Sequence, residues 1–250
     1  MKLQLTLGLG LGAHRKVGET FNPLSLDGTV FLIDCKAAAQ QEYIREVSGS
    51  PAFWTKLLNL ADPTNSAEYE AEADQAIYQP DGGFGWHGAH QNSLTTPIVY
   101  RTVILALKNN NPEYVDVIST ISYGTSGTGN ICMASNRPDL GYGNGCGMYE
   151  TNASTRKITT NTRVGDGNSV VLTMRNALAP TGTIRYNGIG QTLDDTGTNE
   201  SVFFSGLPHA YTSLSHRWRG TIYGMYCNTN PMSDTDIMKV EAWMRARYGI

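Results

Sequence analysis

Glu68, Glu70 and Glu72 alternate with Tyr69, Ala71 and Ala73. On a strand, that spacing puts three carboxylates on one face, because side chains repeat every second residue. Two carboxylates flanking a glycosidic bond can act as acid and nucleophile. Glu70 and Glu72 are therefore the candidate pair for a glycoside hydrolase. The competing expectation is a solvated strand or helix face, and it is the one adopted here.

A second chemical stretch is QPDGGFGWHGAHQ, from Gln79 to Gln91. Gly82, Gly83, Gly85 and Gly88 make it a loop or hairpin. Trp86, His87 and His90 on that loop, with Tyr142 on another, could stack and hydrogen-bond a sugar, since aromatics on loops carry an apolar face and a polar edge. As a metal site the histidines have only Asp81 nearby in sequence, which is short of a ligand set. Asp166-Gly167-Asn168 and Asp194-Asp195-Thr196 read as acidic turns. Calcium is the one cofactor they could take, through Asp166, Asp194 and Asp195. Asp and Asn also favour turns for backbone reasons alone, so the expectation is no cofactor. His209 and His216 have no evident partner in sequence, and neither a Gly-x-Ser-x-Gly elbow nor a phosphate-binding loop occurs. The cysteines Cys35, Cys132, Cys146 and Cys227 form no C-x-x-C pair, which argues against zinc ribbons and thiol redox sites. Free thiols are expected, with a Cys132–Cys146 bridge as the alternative.

The composition bounds what can position these residues. The chain has 250 residues, 40% hydrophobic and only 16% charged, with 27 Gly and 13 Tyr. That size supports one domain with a core of its own. Low charge with many Gly, Thr, Ser and Asn favours an all-β, turn-rich fold. A net charge of −3 gives no electrostatic footprint for nucleic acid. No apolar run has transmembrane length, and LQLTLGLGLG after Met1-Lys2 alternates instead of forming a signal-peptide core. Synthesis in the cytosol is the resulting expectation.

In chain order, Leu3, Leu5, Leu7, Leu9 and Leu11 alternate with Gln4, Thr6, Gly8, Gly10 and Gly12. This is a strand with one smooth face, either the first strand of the domain or, within residues 1–23, an arm that adds to a neighbouring subunit. The domain proper then runs over residues 24–250. Val30 to Asp34 reads as a buried strand, and Ala37 to Val47 as helix-permissive. Ile98 to Leu107 reads as a central strand apolar on both faces. Val115–Ser122, Gly127–Ala134, Gly145–Tyr149, Arg156–Thr160, Val170–Arg175, Gly182–Asn187 and Val202–Gly206 follow as strands, with Asn187-Gly188 a tight turn of positive φ. Gly220 to Cys227 alternates Thr221, Tyr223 and Met225 against Ile222, Gly224 and Tyr226. A helix then starts at a Ser233 cap with Asp236 reaching back, buries Ile237, Val240, Met244 and Tyr248, and ends at Gly249.

That closing segment carries a resemblance. Gly220, Ile222, Met232, Ser233, Asp234, Lys239, Val240, Glu241, Trp243, Met244, Arg247, Tyr248, Gly249 and Ile250 resemble the C-terminal signature of laminin-G-like, concanavalin A-like jelly-roll domains, in the version found in tailed-bacteriophage virion proteins. The resemblance implies a two-sheet antiparallel jelly-roll sandwich with a short C-terminal helix. Jelly-roll glucanases carry a Glu-x-Asp-x-Glu strand, and the Glu68–Glu72 run departs from it in its middle acid. The resemblance therefore implies a non-enzymatic structural protein of a virion, in capsid decoration or a tail or fibre, assembled in the host cytoplasm. Its partners would be other virion proteins and further copies of itself, with no nucleic acid and no membrane insertion. The alternative is a lectin-like module that binds a surface glycan.

Overall fold

The computed structural model describes residues 21–48, 51–68, 76–85, 98, 100–109, 117–121, 130–134, 147–149, 156–159, 167–175, 183–191, 193–195, 209–210 and 220–250. In chain order the strands are β1 (Thr29–Asp34), β2 (Ile44–Arg45), β3 (Phe53–Trp54), β4 (Lys56–Leu57), β5 (Ala67–Glu68), β6 (Ala76–Tyr78), β7 (Phe84–Gly85), β8 (Thr102–Asn109), β9 (Val117–Ile121), β10 (Asn130–Ala134), β11 (Gly147–Tyr149), β12 (Arg156–Thr159), β13 (Ser169–Arg175), β14 (Thr183–Tyr186), β15 (Ile189–Gly190), β16 (Leu193–Asp195), β17 (His209–Ala210) and β18 (Gly220–Asn228). Helix α1 (Ala38–Gln41) follows β1, and α2 (Asp234–Tyr248) closes the chain.

One sheet runs β15-β14-β13-β8-β18-β7-β6-β3-β2, with β1 also on β18; a second runs β16-β12-β11-β10-β9-β17; β4 and β5 pair separately. Every pairing among the described residues is antiparallel. The architecture is the two-sheet all-β class with a C-terminal helix that the sequence predicts. The last strand lies inside the first sheet, between β8 on one side and β1 and β7 on the other. A central strand covered on both faces should read as continuously apolar or small, and all of β18 is buried.

The two faces of this sheet carry two cores. Phe31, Ile33, Val103, Leu105, Leu107, Val170, Leu172, Met174, Ile222, Met225 and Cys227 pack on the inner face with Trp54 and Phe84. Leu32, Ile104, Ala106, Val171, Tyr223 and Tyr226 pack on the other face under Met232, Ile237, Val240 and Met244 of the closing segment. The strict alternation expected for Gly220–Cys227 is broken by a bulge. The register between β18 and β8 slips between Ile222 and Gly224. A bulge puts two residues against one and shifts the phase, so Ile222 joins Met225 inside, while Tyr223 joins Tyr226 under the helix. Gly224 sits beside that bulge because nothing larger fits. A Cβ there would lie 2.8 Å from Tyr248 Cζ.

The expected Asn187-Gly188 turn is present, with φ of 51° and 83°, and Asn187 Oδ1 accepts from Val171 N–H at 2.8 Å. Two buried amides have no counterpart in the sequence reading. Asn59 stands along the open side of β1: its Oδ1 accepts from Leu32 N–H at 3.1 Å and its Nδ2 donates to Val30 O at 3.2 Å. It thereby supplies to β1 the bonds that a neighbouring strand would supply. Gln40 does the same for residues 56–58, accepting from Leu58 N–H at 2.7 Å and donating to Lys56 O at 2.8 Å.

Candidate functional site

The polar chemistry of the described residues converges on α2. The helix starts as the sequence predicts, with Asp236 N–H donating to Ser233 Oγ at 3.1 Å. The Asp236 carboxylate accepts from the Ser233 hydroxyl at 2.8 Å; the expected reciprocal bond to the cap is made to the side chain. Lys239 Nζ donates to Asp236 Oδ1 at 2.8 Å, and this bond, with that from Ser233, holds the Asp236 carboxyl below its usual range. The helix ends at Gly249 in the left-handed region, φ 74°.

Two carboxylates are enclosed near the helix. Glu241 is fully buried. It accepts from Thr173 Oγ1 at 2.8 Å and from Arg185 Nε at 2.8 Å, with Arg185 Nη2 at 3.2 Å on the other oxygen. Asp34, at the end of β1, accepts from Arg247 Nε at 3.0 Å and from Tyr248 OH at 2.9 Å. The Lys36 N–H adds a third bond at 3.0 Å, and Lys36 Nζ donates to Arg247 O at 3.0 Å. Tyr248 is the hub of this clasp. Its ring stacks on Tyr223 at 5.9 Å, meets Trp243 edge-on at 6.2 Å, and lies under Lys36 Nζ at 5.8 Å. Both carboxylates are committed to fixed cations, which suits them to holding elements together.

Burial also governs the phenols. It pushes Tyr223 up to about 12, with Asp81 raising it further and Ser169 opposing. It raises Tyr226 and, most strongly, Tyr248, where the Asp34 charge adds to burial. The thiols of Cys35 and Cys227, free and buried, are raised for the same reason. A group whose pKa is higher folded than unfolded leaves stability intact below its unfolded value, and stability falls as pH rises above it. The unfolded thiol titrates near 8.5 and the unfolded phenol near 10. The urea midpoint is therefore expected to be level from pH 6 to about 8 and to drop steadily above about 9. A midpoint at pH 11 equal to that at pH 7 would contradict it.

Beside the clasp, on the outward side of α2, lies an open groove of about 1040 Å³ lined by Phe21, Asn22, Lys239, Ala242, Trp243, Ala246 and Arg247. Phe21 and Trp243 are half-buried against the helix-side core and leave the rest of their rings to the groove. Asn22 is exposed, and its Oδ1 accepts from Leu24 N–H at 3.0 Å, which fixes the side chain. Small residues at Ala242 and Ala246 keep the floor low. The volume is of the size that small-ligand sites occupy.

Most residues singled out from sequence are not among those described. Trp86, His87, His90, Tyr142, Asp166, Glu70, Glu72 and the alternating Leu3, Leu5, Leu7, Leu9 and Leu11 lie outside the described residues, as does the expected strand at 202–206. Within the expected loop or hairpin at 79–91, residues 79–83 turn between β6 and β7, with Gly82 at φ 90°, and residues 86–91 lie outside those described. Glu68 ends β5 against Lys56. Asp194 and Asp195 are not in a turn: they pair with Ile158 and Lys157 as part of β16. Among the described residues no group of three or more metal-ligating side chains gathers, and no helix is long and apolar enough to cross a membrane. The sequence reading missed the groove residues, though one signal pointed to them. Trp243 falls off the Ile237, Val240, Met244 and Tyr248 face, and an aromatic off the core face of a helix needs another reason to be there.

The fold and this groove define a β-sandwich domain with an open aromatic-lined cleft. Neither a protein-family model nor a curated protein matches the sequence. In structure the chain is similar to botulinum neurotoxin type C, whose cell entry is described as dependent on interaction with two ganglioside molecules. The TM-score is 0.53 and the identity 12%, over 87% of this chain and 51% of that one. The binding domain of Paraclostridial Mosquitocidal Protein 1 is matched at TM-score 0.47 and 10% identity, over 88% of this chain and 52% of that one. Trypanosoma rangeli sialidase in complex with sialic acid is matched at 0.41 and 11%, over 89% and 34%. The chain spans about half or less of each of these. At such identities the first likeness speaks to fold, and the other two carry no further weight.

Proposed function

We propose that the chain is a non-catalytic β-sandwich module that binds a carbohydrate in the groove beside α2. The observation that carries this is the pairing of Trp243 and Phe21 with Asn22, Lys239 and Arg247 in one open cleft. A sugar ring has an apolar C–H face and a rim of hydroxyls, so it asks for an aromatic platform edged by hydrogen-bond donors. Binding is favoured over bond cleavage because none of the described residues lining the groove is a carboxylate, and Asp34 and Glu241 nearby are each held by an arginine. A fold shared with a toxin described as depending on gangliosides, which are glycolipids, supports the same reading.

One of the grounds for a virion role is the C-terminal motif, and that motif has a packing explanation. Ile222, Val240 and Met244 are core. Ser233 caps the helix and Gly249 ends it. Asp234 bonds Arg175 at 2.7 Å, Glu241 holds Arg185, and Arg247 and Tyr248 hold Asp34. A motif accounted for by packing marks the fold, so it lends assembly in a virion no separate support.

The test is a glycan array followed by calorimetry on the leading hit. Replacing a buried aromatic anchor in a binding site commonly costs about 2–4 kcal/mol, so Trp243→Ala is expected to weaken binding by roughly thirtyfold or more. Trp86→Ala is the control. If Trp86→Ala abolishes binding and Trp243→Ala does not, the glycan sits on the glycine-rich loop instead.

A further inference from the structure

Resting on the glycan reading above, we infer that the groove selects a carboxylated sugar, with Trp243 as the platform and Lys239 and Arg247 as the cations on either side of it.

The titratable side chains lining the groove are Lys239 and Arg247, both cations. They stand four residues before and four residues after Trp243. At 1.5 Å of rise per residue, each lies roughly 6 Å along the helix from the indole, and all three follow one slowly drifting stripe. A pyranose stacked on Trp243 therefore carries a ring carboxylate within reach of one long cationic side chain or the other.

Each of these cations is paired with an acid, but both keep donors for another acceptor. Asp34 is 4% exposed and lies behind Arg247. It engages Nε at 3.0 Å and Nη2 at 3.0 Å. Guanidinium has five N–H donors in a rigid fork, so Nη1 and the second Nη2 hydrogen remain for another acceptor. Anchored in this way, Arg247 is preorganised for a carboxylate. Asp236 holds Lys239 at the other end, but this pair is at the surface, with side chains 35% and 49% exposed. Exposed pairs of that kind are weak and exchange partners readily. The C-terminal end of α2 would itself disfavour an anion. There Lys36 Nζ is bonded to Arg247 O at 3.0 Å and adds a third positive charge.

The experiment is calorimetry on the full chain with 3′-sialyllactose, tetragalacturonate and lactose, at 50 mM and 500 mM NaCl. The first two probes separate the sialic acid and uronic acid sources of the carboxylate. At least one of them is expected to bind tenfold or more tighter than lactose at low salt, with the advantage shrinking at high salt. Lys239→Glu is expected to bring that ratio close to one, and Lys239→Arg to keep it. The inference is overturned if lactose binds as tightly as both carboxylated probes, or if Lys239→Glu leaves the ratio unchanged. In those cases carbohydrate binding itself still stands. Failure of all three probes to bind would overturn the inference, while carbohydrate binding itself is decided by the array.

Discussion

Glu241→Ala is expected to lower the unfolding free energy by about 3–5 kcal/mol, the usual cost of removing one partner from a buried ion pair. The reason lies in what is left behind. Glu241 is fully buried, and Arg185, 17% exposed at the side chain, donates to both of its oxygens. Thr173 Oγ1, also buried, points at the same carboxylate. Deleting the acid leaves the Thr173 hydroxyl without its acceptor and the Arg185 guanidinium, little exposed, with only its bond to Gly188 O at 2.8 Å. The pair itself stabilises far less than its rupture costs, because forming it required desolvating both charges. Replacing all three residues together, Glu241→Met, Arg185→Met and Thr173→Val, is accordingly expected to come within about 1 kcal/mol of the parent. Urea denaturation of the four proteins decides this. A loss below about 1 kcal/mol in Glu241→Ala would mean that water reaches the site and screens it.

The legibility of the fold depended on how local each signal was. The closing helix was readable because its cap, its apolar face and its terminal glycine are written within seventeen residues, Ser233 to Gly249. The Asn187-Gly188 turn was readable because only a few residue types accept positive φ. The bulge at Tyr223 was not, since a bulge is set by the partner strand, and β8 lies more than a hundred positions earlier. Asn59 and Gln40 were invisible for a related reason. A buried amide that completes a strand edge looks in sequence like any loop amide, and its value appears only when the edge beside it is known. The candidate site divides in the same way. In sequence, Trp86 attracts notice because it interrupts glycines. Trp243 sits among helix residues, and Phe21 and Asn22, which complete its groove, come from the opposite end of the described chain.

Asp34→Ala tests whether the ends of the domain and the groove are one system, and its expected cost is about 2–3 kcal/mol of stability. Asp34 lies at the end of β1, and its partners Arg247 and Tyr248 lie in the last turn of α2, more than two hundred residues later. The loss should be smaller than for Glu241, because the Arg247 side chain is 36% exposed and can turn to water. The Tyr248 hydroxyl has less recourse. Its ring is held between Tyr223 and Trp243, so the phenol keeps its place and loses its acceptor. Tyr248→Phe added to Asp34→Ala should therefore cost little more, or recover a few tenths of a kcal/mol, since it removes the orphaned group. Asp34→Asn separates charge from geometry. It keeps an acceptor for Tyr248 and the Lys36 N–H but gives Arg247 no counter-charge. If Arg247 needs Asp34 to hold it at the groove, Asp34→Asn should weaken glycan binding several-fold while costing less stability than Asp34→Ala. Equal loss of stability in the two variants, with binding intact, would show that the clasp serves the fold alone and that the groove is organised by Trp243 and Phe21 without it.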